Sequence, residues 1–380
     1  MRRRIASHYA LIGGKLERNI IVEVDGNGLI TNIWRTTALD ATASVEFHPG
    51  ILIPGMVNAH CHLELSYLKG AIEEGLGYGG FARAIGAVRG GFTDDRRIRA
   101  AEVADAQMWQ EGVEVVADIA NDELVMGVKA KSKIEYHTLF EFFGLNNRDT
   151  EAHFAMASRH TRSTVTPHST YSVQDAPFLK ICQRNGGLLS LHFLESENEA
   201  ALFNHSGALA EWYARMGWEC DFLHYGSPAR RVAEALSEGE TPDRRVLLVH
   251  NTMATAEDVQ RVEGAVANAS WVLCPESNRY ISRLTPPIAM LRTMGARIAI
   301  GSDSLASVRT LSLLDNLKLI DNVPLNELLT YATLNGAIAL GVEDRKGSLE
   351  VGKAPGLVVI EGADLHNLSL TPESTSHRIV

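Results

Sequence analysis

Eight short apolar runs between residues 51 and 303 constrain the fold more than any other feature of the sequence. Helix-like stretches separate the runs, which read ILIPGMVNAH, VEVVADI, YHTLFEFFG, STVTPH, LLSLHFLE, RVLLVHN, SWVLCPESN and RIAIGSD. Their hydrophobicity is continuous rather than alternating, which is typical of parallel strands buried on both faces. The pattern therefore predicts an α/β fold, a (β/α)₈ TIM barrel, with a doubly wound sheet as the alternative.

The connecting stretches carry helix signals of different clarity. In TDDRRIRAAEVADAQMWQEG, Thr93 is a typical N-cap residue, acidic residues fill the first turn, and Gly112 closes the segment. The segment from Glu197 to Arg245 is too long for one crossover helix. It predicts two helices with a loop near residues 226–228.

Both ends of the sequence are rich in β-forming residues. The turn signal Asp25-Gly26-Asn27-Gly28 lies between two such runs and predicts a hairpin. We therefore expect two domains. Residues 1–53 and 346–380 would combine into a small β-sandwich domain, and residues 54–345 would form the barrel.

Composition excludes several classes of function. The 380 residues carry a formal charge of −10, which argues against a nucleic-acid or anionic-membrane surface. The four cysteines are scattered without a CxxC pair, which argues against a disulfide framework. No signal peptide or membrane span is apparent. We expect a cytoplasmic protein with a small-molecule substrate; a homodimer is an expectation that the sequence does not test.

Polar side chains stand where five of the predicted strands end. They are His60 and His62 on strand one, His168 on strand four, His192 with Glu195 on strand five, His250 on strand six, and Asp303 on strand eight. Because the carboxyl ends of TIM-barrel strands open at one mouth, we expect these groups to converge there.

The spacing of the first two histidines predicts a metal site. Side chains at positions i and i+2 of a strand share a side, so His60 and His62 can chelate one ion while Cys61 points into the barrel wall. His192 and Asp303 would complete the site. Such ligands suit Zn²⁺, Fe²⁺ or Mn²⁺ and leave room for water. A single strand histidine is more often a hydrogen-bonded core residue, but the ordered set favours the metal.

This ordered pattern resembles the amidohydrolase superfamily over nearly the whole chain. HFLESENE, CPESNRYI and PHSTYS are similar to the HxxE, CPxSN and PHxPY elements of its deaminase and chlorohydrolase branch, with Thr170 where proline is usual. Binuclear members carry a carboxylated lysine at the end of strand four, where this chain has His168. The resemblance therefore implies one metal ion, with zinc favoured over iron or manganese, held by His60, His62, His192 and Asp303.

The resemblance also implies catalytic roles. A bound divalent ion lowers the pKa of its water toward neutrality. Glu195 would shuttle protons, although a helix N-terminal acid is the alternative interpretation. His250 would contact the attacking oxygen, and Asp303 would be both ligand and proton acceptor. His168 would bind substrate, whereas Ser277 and Asn278 are expected to shape the turn after strand seven.

Substrate contacts are less strongly indicated. Glu64 would contact substrate or support His62. The glycine-rich segment from Ala71 to Gly91 is expected to form a lid. The candidates for meeting a substrate carboxylate are Arg83, Arg89, Arg148 and Arg279, each with solvated surface as the alternative.

HCHLELS is similar to the HxHLExS form of aminodeoxyfutalosine deaminases, a group of the alternative menaquinone pathway. The likeness implies hydrolytic deamination of an aminated purine nucleoside, with 6-amino-6-deoxyfutalosine as the first candidate. Alternatives are deamination of adenosine, methylthioadenosine, S-adenosylhomocysteine or guanine, and chlorohydrolysis of triazine-like rings. A non-catalytic binding protein is a third class, against which the complete set of polar strand-end residues argues.

Overall fold

A computed structural model describes residues 2–36, 44–237 and 243–380. Within them the β-strands are β1 (Arg3–Ala6), β2 (Tyr9–Ile12), β3 (Lys15–Glu17), β4 (Ile20–Val24), β5 (Ile30–Arg35), β6 (Glu46–Phe47), β7 (Ile51–Pro54), β8 (Met56–Cys61), β9 (Val113–Ala120), β10 (Glu135–Phe142), β11 (Ser163–Pro167), β12 (Leu188–Phe193), β13 (Arg245–His250), β14 (Ala269–Leu273), β15 (Ile298–Ile300), β16 (Leu357–Glu361) and β17 (Thr375–Arg378).

The α-helices of the same residues are α1 (Gly77–Val88), α2 (Asp94–Gln110), α3 (Met126–Lys129), α4 (Thr150–Ser158), α5 (Asp175–Arg184), α6 (Glu197–Phe203), α7 (Gly207–Arg215), α8 (Pro228–Ser237), α9 (Ala256–Glu263), α10 (Pro275–Ser282), α11 (Ile288–Thr293), α12 (Leu313–Lys318), α13 (Leu325–Tyr331) and α14 (Leu334–Leu340). None of these helices is both long and apolar enough to span a lipid bilayer.

Eight parallel strands close into a barrel. Strands β8 to β11 form one sheet and β12 to β15 form another. Parallel bridges join the two sheets at both seams, between Cys61 and Asp303 and between Ser169 and His192. The closure confirms the predicted TIM barrel and excludes the doubly wound alternative.

Helices whose ends carry clear capping residues begin and end where the sequence predicts. The Thr93 hydroxyl accepts the N–H of Arg96 at the start of α2, as its N-cap position predicts. The segment between β12 and β13 was predicted less well. It contains three α-helices, α6, α7 and α8, rather than two, because short turns near residues 204–206 and 216–227 divide it.

The small domain is built from both terminal segments. Strands β4 and β5 form the predicted hairpin. Strand β16 pairs with β7 and β17, and β7 also pairs with β2, so one sheet combines both segments. The apolar faces of the two sheets pack on a shared core that includes Ile5, Val22, Leu52 and Val359. Residues 1 and 37–43 of this predicted domain lie outside the described residues, and the boundaries at 53/54 and 345/346 stay predictions.

Ion pairs join the small domain to the amino end of the barrel. The Glu114 carboxylate, at the start of β9, bonds to Arg378 of β17 and to Lys346. The Arg378 guanidinium carbon lies 3.4 Å from the ring centroid of Trp109, a cation–π contact. Glu135, at the start of β10, pairs with Arg345 and Arg162. The amino ends of these strands therefore carry charges that already have partners.

Candidate metal and catalytic site

A register shift at the end of β8 turns both histidines toward the barrel axis. Val57 and Ala59 pack in the barrel interior with residues from opposite strands. The pairing of β8 with β9 then shifts between Asn58 and Cys61, which is a β-bulge. Bulges re-aim side chains, and here His60 and His62 follow Ala59 to the inner side while Cys61 packs outward. His60 and His62 therefore point to the same side of the strand, as their spacing predicted.

Three buried imidazoles meet at the barrel mouth. The Nε2 atoms of His60 and His62 are 3.1 Å apart. Together with His192 they offer ligand atoms that all lie within 4.8 Å of one another. Burial lowers the pKa of His60 and of His192 well below the usual value, so both rings are neutral and present a lone pair.

Asp303 completes the group from the end of β15. Its Oδ1 is 3.6 Å from His62 Nε2. The hydroxyls of Ser277 and Ser307 both donate to Oδ2, which fixes the carboxylate in one orientation. Burial raises the pKa of Asp303, but the facing imidazoles of His62, His250 and His60 lower it on balance. The carboxylate is therefore ionised, with Oδ1 directed toward the imidazoles.

The spacing of the three imidazoles suits a single divalent ion, and Asp303 Oδ1 lies beside them, 3.6 Å from His62 Nε2. Two nitrogen ligands at about 2.0–2.1 Å from zinc lie roughly 3.0–3.4 Å apart, and the nitrogens of His60 and His62 satisfy that spacing. His192 Nδ1 is 3.1 Å from the carbonyl oxygen of His168. A ring that donates from Nδ1 keeps Nε2 free for a metal. The donor set of three imidazoles and one carboxylate also suits zinc chemistry.

Glu195 lies beside the imidazoles and directly follows Leu194, whose backbone has the left-handed conformation. The φ angle of Leu194 is 48°, which turns the chain as β12 ends. The Tyr171 hydroxyl donates to Glu195 Oε1 at 2.9 Å, and Glu195 Oε2 lies 3.3 Å from His250 Nε2. Tyr171 also bonds to the hydroxyl of Tyr78, in α1. The Tyr171 hydroxyl therefore holds one carboxylate oxygen while the other faces the imidazole of His250.

His250 is oriented by Asn278, which lies in α10, the helix after β14. Its Nδ1 is 2.9 Å from the side-chain oxygen of Asn278, so a proton on Nδ1 leaves Nε2 to face Glu195. The ring centroid of His250 is 5.2 Å from that of His192. Ser277 and Asn278 thus do more than shape a turn, because they orient Asp303 and His250. Tyr171 was not singled out in the sequence, although the motif PHSTYS contains it.

His168 and Glu64 occupy different positions relative to the imidazoles. The His168 ring centroid is 4.5 Å from that of His192, and its Nδ1 is 2.9 Å from the hydroxyl of Ser172. Glu64 is fully buried and accepts two bonds from Asn121, both at 2.9 Å. Burial raises the pKa of Glu64. Its contacts support the loop after β9, whereas His168 remains close to the imidazole group.

The four candidate arginines divide into two groups. Arg89 lies 3.7 Å from the buried Glu64 carboxylate, so it has a partner within the protein. Arg83, Arg148 and Arg279 are exposed, and none has a carboxylate within 4 Å among the described residues. All three belong to segments that follow barrel strands, after β8, β10 and β14. The predicted lid contains α1, which packs against α10 and reaches Glu195 through Tyr78 and Tyr171.

The sequence matches the amidohydrolase family over residues 51–377, and the chain belongs to this family. An adenosine deaminase of Helicobacter pylori is 29% identical, over 82% of this chain and 79% of that protein. An aminodeoxyfutalosine deaminase of Nitratiruptor is 26% identical, over 82% of this chain and 79% of that protein. The crystal structure of Helicobacter pylori aminofutalosine deaminase in complex with methylthio-coformycin superposes on this chain with a TM-score of 0.81. The two sequences are 26% identical, and the match covers 94% of this chain and 92% of the Helicobacter pylori chain. The resemblance found in the sequence is thereby confirmed.

Proposed function

We propose that the protein is a metal-dependent deaminase that replaces the 6-amino group of a purine nucleoside with oxygen and releases ammonia. One observation carries the proposal: three buried imidazoles and the Asp303 carboxylate converge beside the Glu195–His250 pair. Membership of the amidohydrolase family and the similarity to adenine-nucleoside deaminases support it. The likeness to triazine hydrolases, at 16–17% identity, concerns the fold alone.

His60, His62, His192 and Asp303 would hold one divalent ion, and zinc is the proposed metal. An ion held there would supply a water molecule whose pKa is lowered toward neutrality, which is the nucleophile that deamination needs. The second oxygen of Asp303 is held by two serine hydroxyls, so the residue accepts a proton from water without changing its orientation.

Glu195 moves the protons that deamination requires. The attacking water gives up two protons in all, which Asp303 and Glu195 accept; one is delivered to a ring nitrogen and the other to the amine as its bond to the ring carbon breaks. Tyr171 fixes Oε1 of Glu195, while Oε2 faces His250 at 3.3 Å. His250 orients the attacking oxygen by accepting a hydrogen bond from it at Nε2, while Nδ1 donates to Asn278. His168, beside His192, binds the purine.

The first candidate for the substrate is 6-amino-6-deoxyfutalosine, whose benzoate adds a negative charge far from the purine. In a protein with a formal charge of −10, that benzoate requires a local cation. Arg83, Arg148 and Arg279 are exposed and unpaired with any described carboxylate. Arg89 is the weakest of the four candidates because Glu64 already faces it.

A substrate panel tests the proposal. Zinc-loaded protein is given aminodeoxyfutalosine, adenosine, methylthioadenosine, S-adenosylhomocysteine and guanine, with ammonia as the readout. We expect the highest kcat/KM for aminodeoxyfutalosine. An Arg→Ala change at one of the four positions should reduce the preference over adenosine by about tenfold, since a charge-assisted bond contributes about 1.5–3 kcal/mol. Arg99→Ala, on the exposed side of α2, is the matched control.

Two results would contradict the assignment at different levels. Equal rates on both nucleosides, or a preference for guanine, would remove the futalosine substrate and leave a deaminase. Chloride release from a chlorotriazine without ammonia release from any purine would remove the deaminase. Sedimentation of the same preparation tests the homodimer, which stays a prediction.

A further inference from the structure

A second carboxyl lies directly behind Glu195 and outside the proposed reaction path. Glu199, in the first turns of α6, is fully buried. Its Oε2 accepts the backbone N–H of Glu195 at 3.2 Å. Its Oε1 accepts the hydroxyl of Thr170, which is also fully buried, at 2.5 Å. One side chain therefore ties the backbone of Glu195 to the loop that follows β11.

The backbone at this point needs such support. Leu194 has a φ angle of 48°, and a non-glycine residue in that region costs about 1–3 kcal/mol. Thr252 also holds the turn, since its hydroxyl contacts the carbonyl oxygens of Leu194 and Glu195 at 3.1 and 2.6 Å. Glu199 holds the opposite side of the same peptide. Loss of either contact would release the turn that aims the Glu195 side chain.

The loop after β11 holds Glu195 at two points. Tyr171 donates to the Glu195 carboxylate, and its neighbour Thr170 reaches the backbone of Glu195 through Glu199. Thr170 stands where proline is usual in the PHxPY element, and proline has no hydroxyl to donate. The two contacts fix both the position of the peptide and the direction of the carboxylate.

We propose that Glu199 and Thr170 are positioning residues that set the geometry of Glu195 for proton transfer. The proposal rests on the proposed function, in which Glu195 is the proton shuttle. Burial raises the pKa of Glu199 to about 8, and the group acts through its hydrogen bonds to Thr170 and to the backbone of Glu195. Neither residue is required to touch the substrate or the metal.

The test compares three substitutions in the zinc-loaded full chain, with ammonia release from adenosine as the readout. Thr170→Val removes the hydroxyl at nearly constant volume and should lower kcat about tenfold or more, with KM and bound zinc unchanged. Thr170→Ser keeps the hydroxyl and should restore kcat to within about threefold. Glu199→Gln should also be mild, because an amide can bond to both the Glu195 N–H and the Thr170 hydroxyl.

A matched control and a double variant separate positioning from general packing. Thr333→Val removes another fully buried threonine hydroxyl, which bonds to the carbonyl oxygen of Leu329, and should leave kcat within about twofold. In a Glu195→Gln background, Thr170→Val should have little further effect, because it acts through the lost carboxylate.

The proposal is overturned if Thr170→Val keeps kcat within twofold of the parent, or lowers it equally with and without Glu195. It is also overturned if Glu199→Gln is as damaging as Glu195→Gln, since charge rather than positioning would then explain Glu199. If the valine variant does not fold, Thr170→Ala removes the same hydroxyl and is measured in both backgrounds. Failure of the proposed function looks different, because Glu195→Gln itself would remain active.

Discussion

The two ends of the barrel differ in whether their carboxylates are paired with lysine or arginine. At the amino ends, Glu114 bonds to both Arg378 and Lys346, and Glu135 pairs with Arg345. At the carboxyl ends, imidazoles lie against one another and the Glu195 carboxylate faces His250 across 3.3 Å. Among the described residues, no lysine or arginine lies within 4 Å of the Asp303 or Glu195 carboxylate.

The residues at the amino end of the barrel therefore serve mainly the stability of the fold, whereas those at the carboxyl end serve the reaction. The charge pairs of Glu114 hold the small domain against the barrel, and the pair of Glu135 with Arg345 lies within the barrel. Imidazoles held a few ångströms apart gain little from one another, and their arrangement becomes favourable when a cation occupies the space between them. Substitutions at one end should therefore reduce activity with little loss of stability, and substitutions at the other end should do the reverse.

The largest effect is expected from His60→Ala. The change removes one of three clustered imidazoles, so we expect both bound metal and ammonia release to fall to the detection limit. Metal per chain is measured by mass spectrometry on the purified protein. His366→Ala, an exposed histidine of the small domain, is the control. Retention of one tightly bound ion by the His60 variant would contradict the ligand assignment.

Glu195→Gln should have the next largest effect. The amide keeps the shape of the side chain but cannot cycle a proton, so we expect kcat to fall about 10²–10⁴-fold with metal content unchanged. Glu197→Gln, two residues along and exposed, should behave like the parent. If the Glu195 variant kept most of its activity, Glu195 would be a helix-terminal acid and the shuttle would lie elsewhere.

At the opposite end, Arg378→Ala should change stability rather than rate. The variant leaves the Glu114 carboxylate, whose side chain is 7% exposed, with Lys346 alone. We expect the free energy of unfolding in urea to fall by about 3 kcal/mol, with kcat unchanged. A fall in kcat without a loss of stability would break the proposed separation between the two ends.

Arg345→Ala gives the smallest expected effect and sharpens the same comparison. Its pair with Glu135 is 38% exposed on the arginine side, and solvent-exposed pairs contribute about 1 kcal/mol or less. We expect a urea midpoint close to that of the parent and full activity. If Arg345→Ala lost as much stability as Arg378→Ala, burial would not determine how much each ion pair contributes to stability.

The barrel was predictable from the sequence because each strand is a continuous apolar run, and polar side chains stand at the ends of five of the eight runs. The convergence of these side chains at the barrel mouth was predictable for a related reason, since the spacing of His60 and His62 and the strand-end positions of His192 and Asp303 are local features. The helices between β12 and β13 were not fully predicted, because short turns there carry weaker signals than the proline and glycine near residue 226.

Contacts between distant segments were beyond the reach of sequence patterns. The hydroxyls of Tyr78 and Tyr171 bond across 93 residues of sequence, and no local spacing connects them. The pairing of Arg89 with Glu64 likewise depends on how two turns fold over the mouth. Asn278 was placed in a turn, but its bond to His250 could be seen only once β13 and β14 were adjacent. The side chains that converge at the mouth were thus predicted, whereas the residues that orient them were not.

The pairing of β16 with β7 has a consequence for the order in which the protein folds during synthesis. Strand β7 ends at Pro54, whereas β16 begins at Leu357, so the whole barrel is translated between two neighbours in one sheet. Contacts with such large sequence separation form slowly, because a long loop must close first. Until β16 arrives, the edge of β7 that will receive it is unpaired on the ribosome-bound chain, and exposed strand edges favour aggregation. Chaperone binding during translation would therefore be most useful at residues 51–54, far from the catalytic mouth.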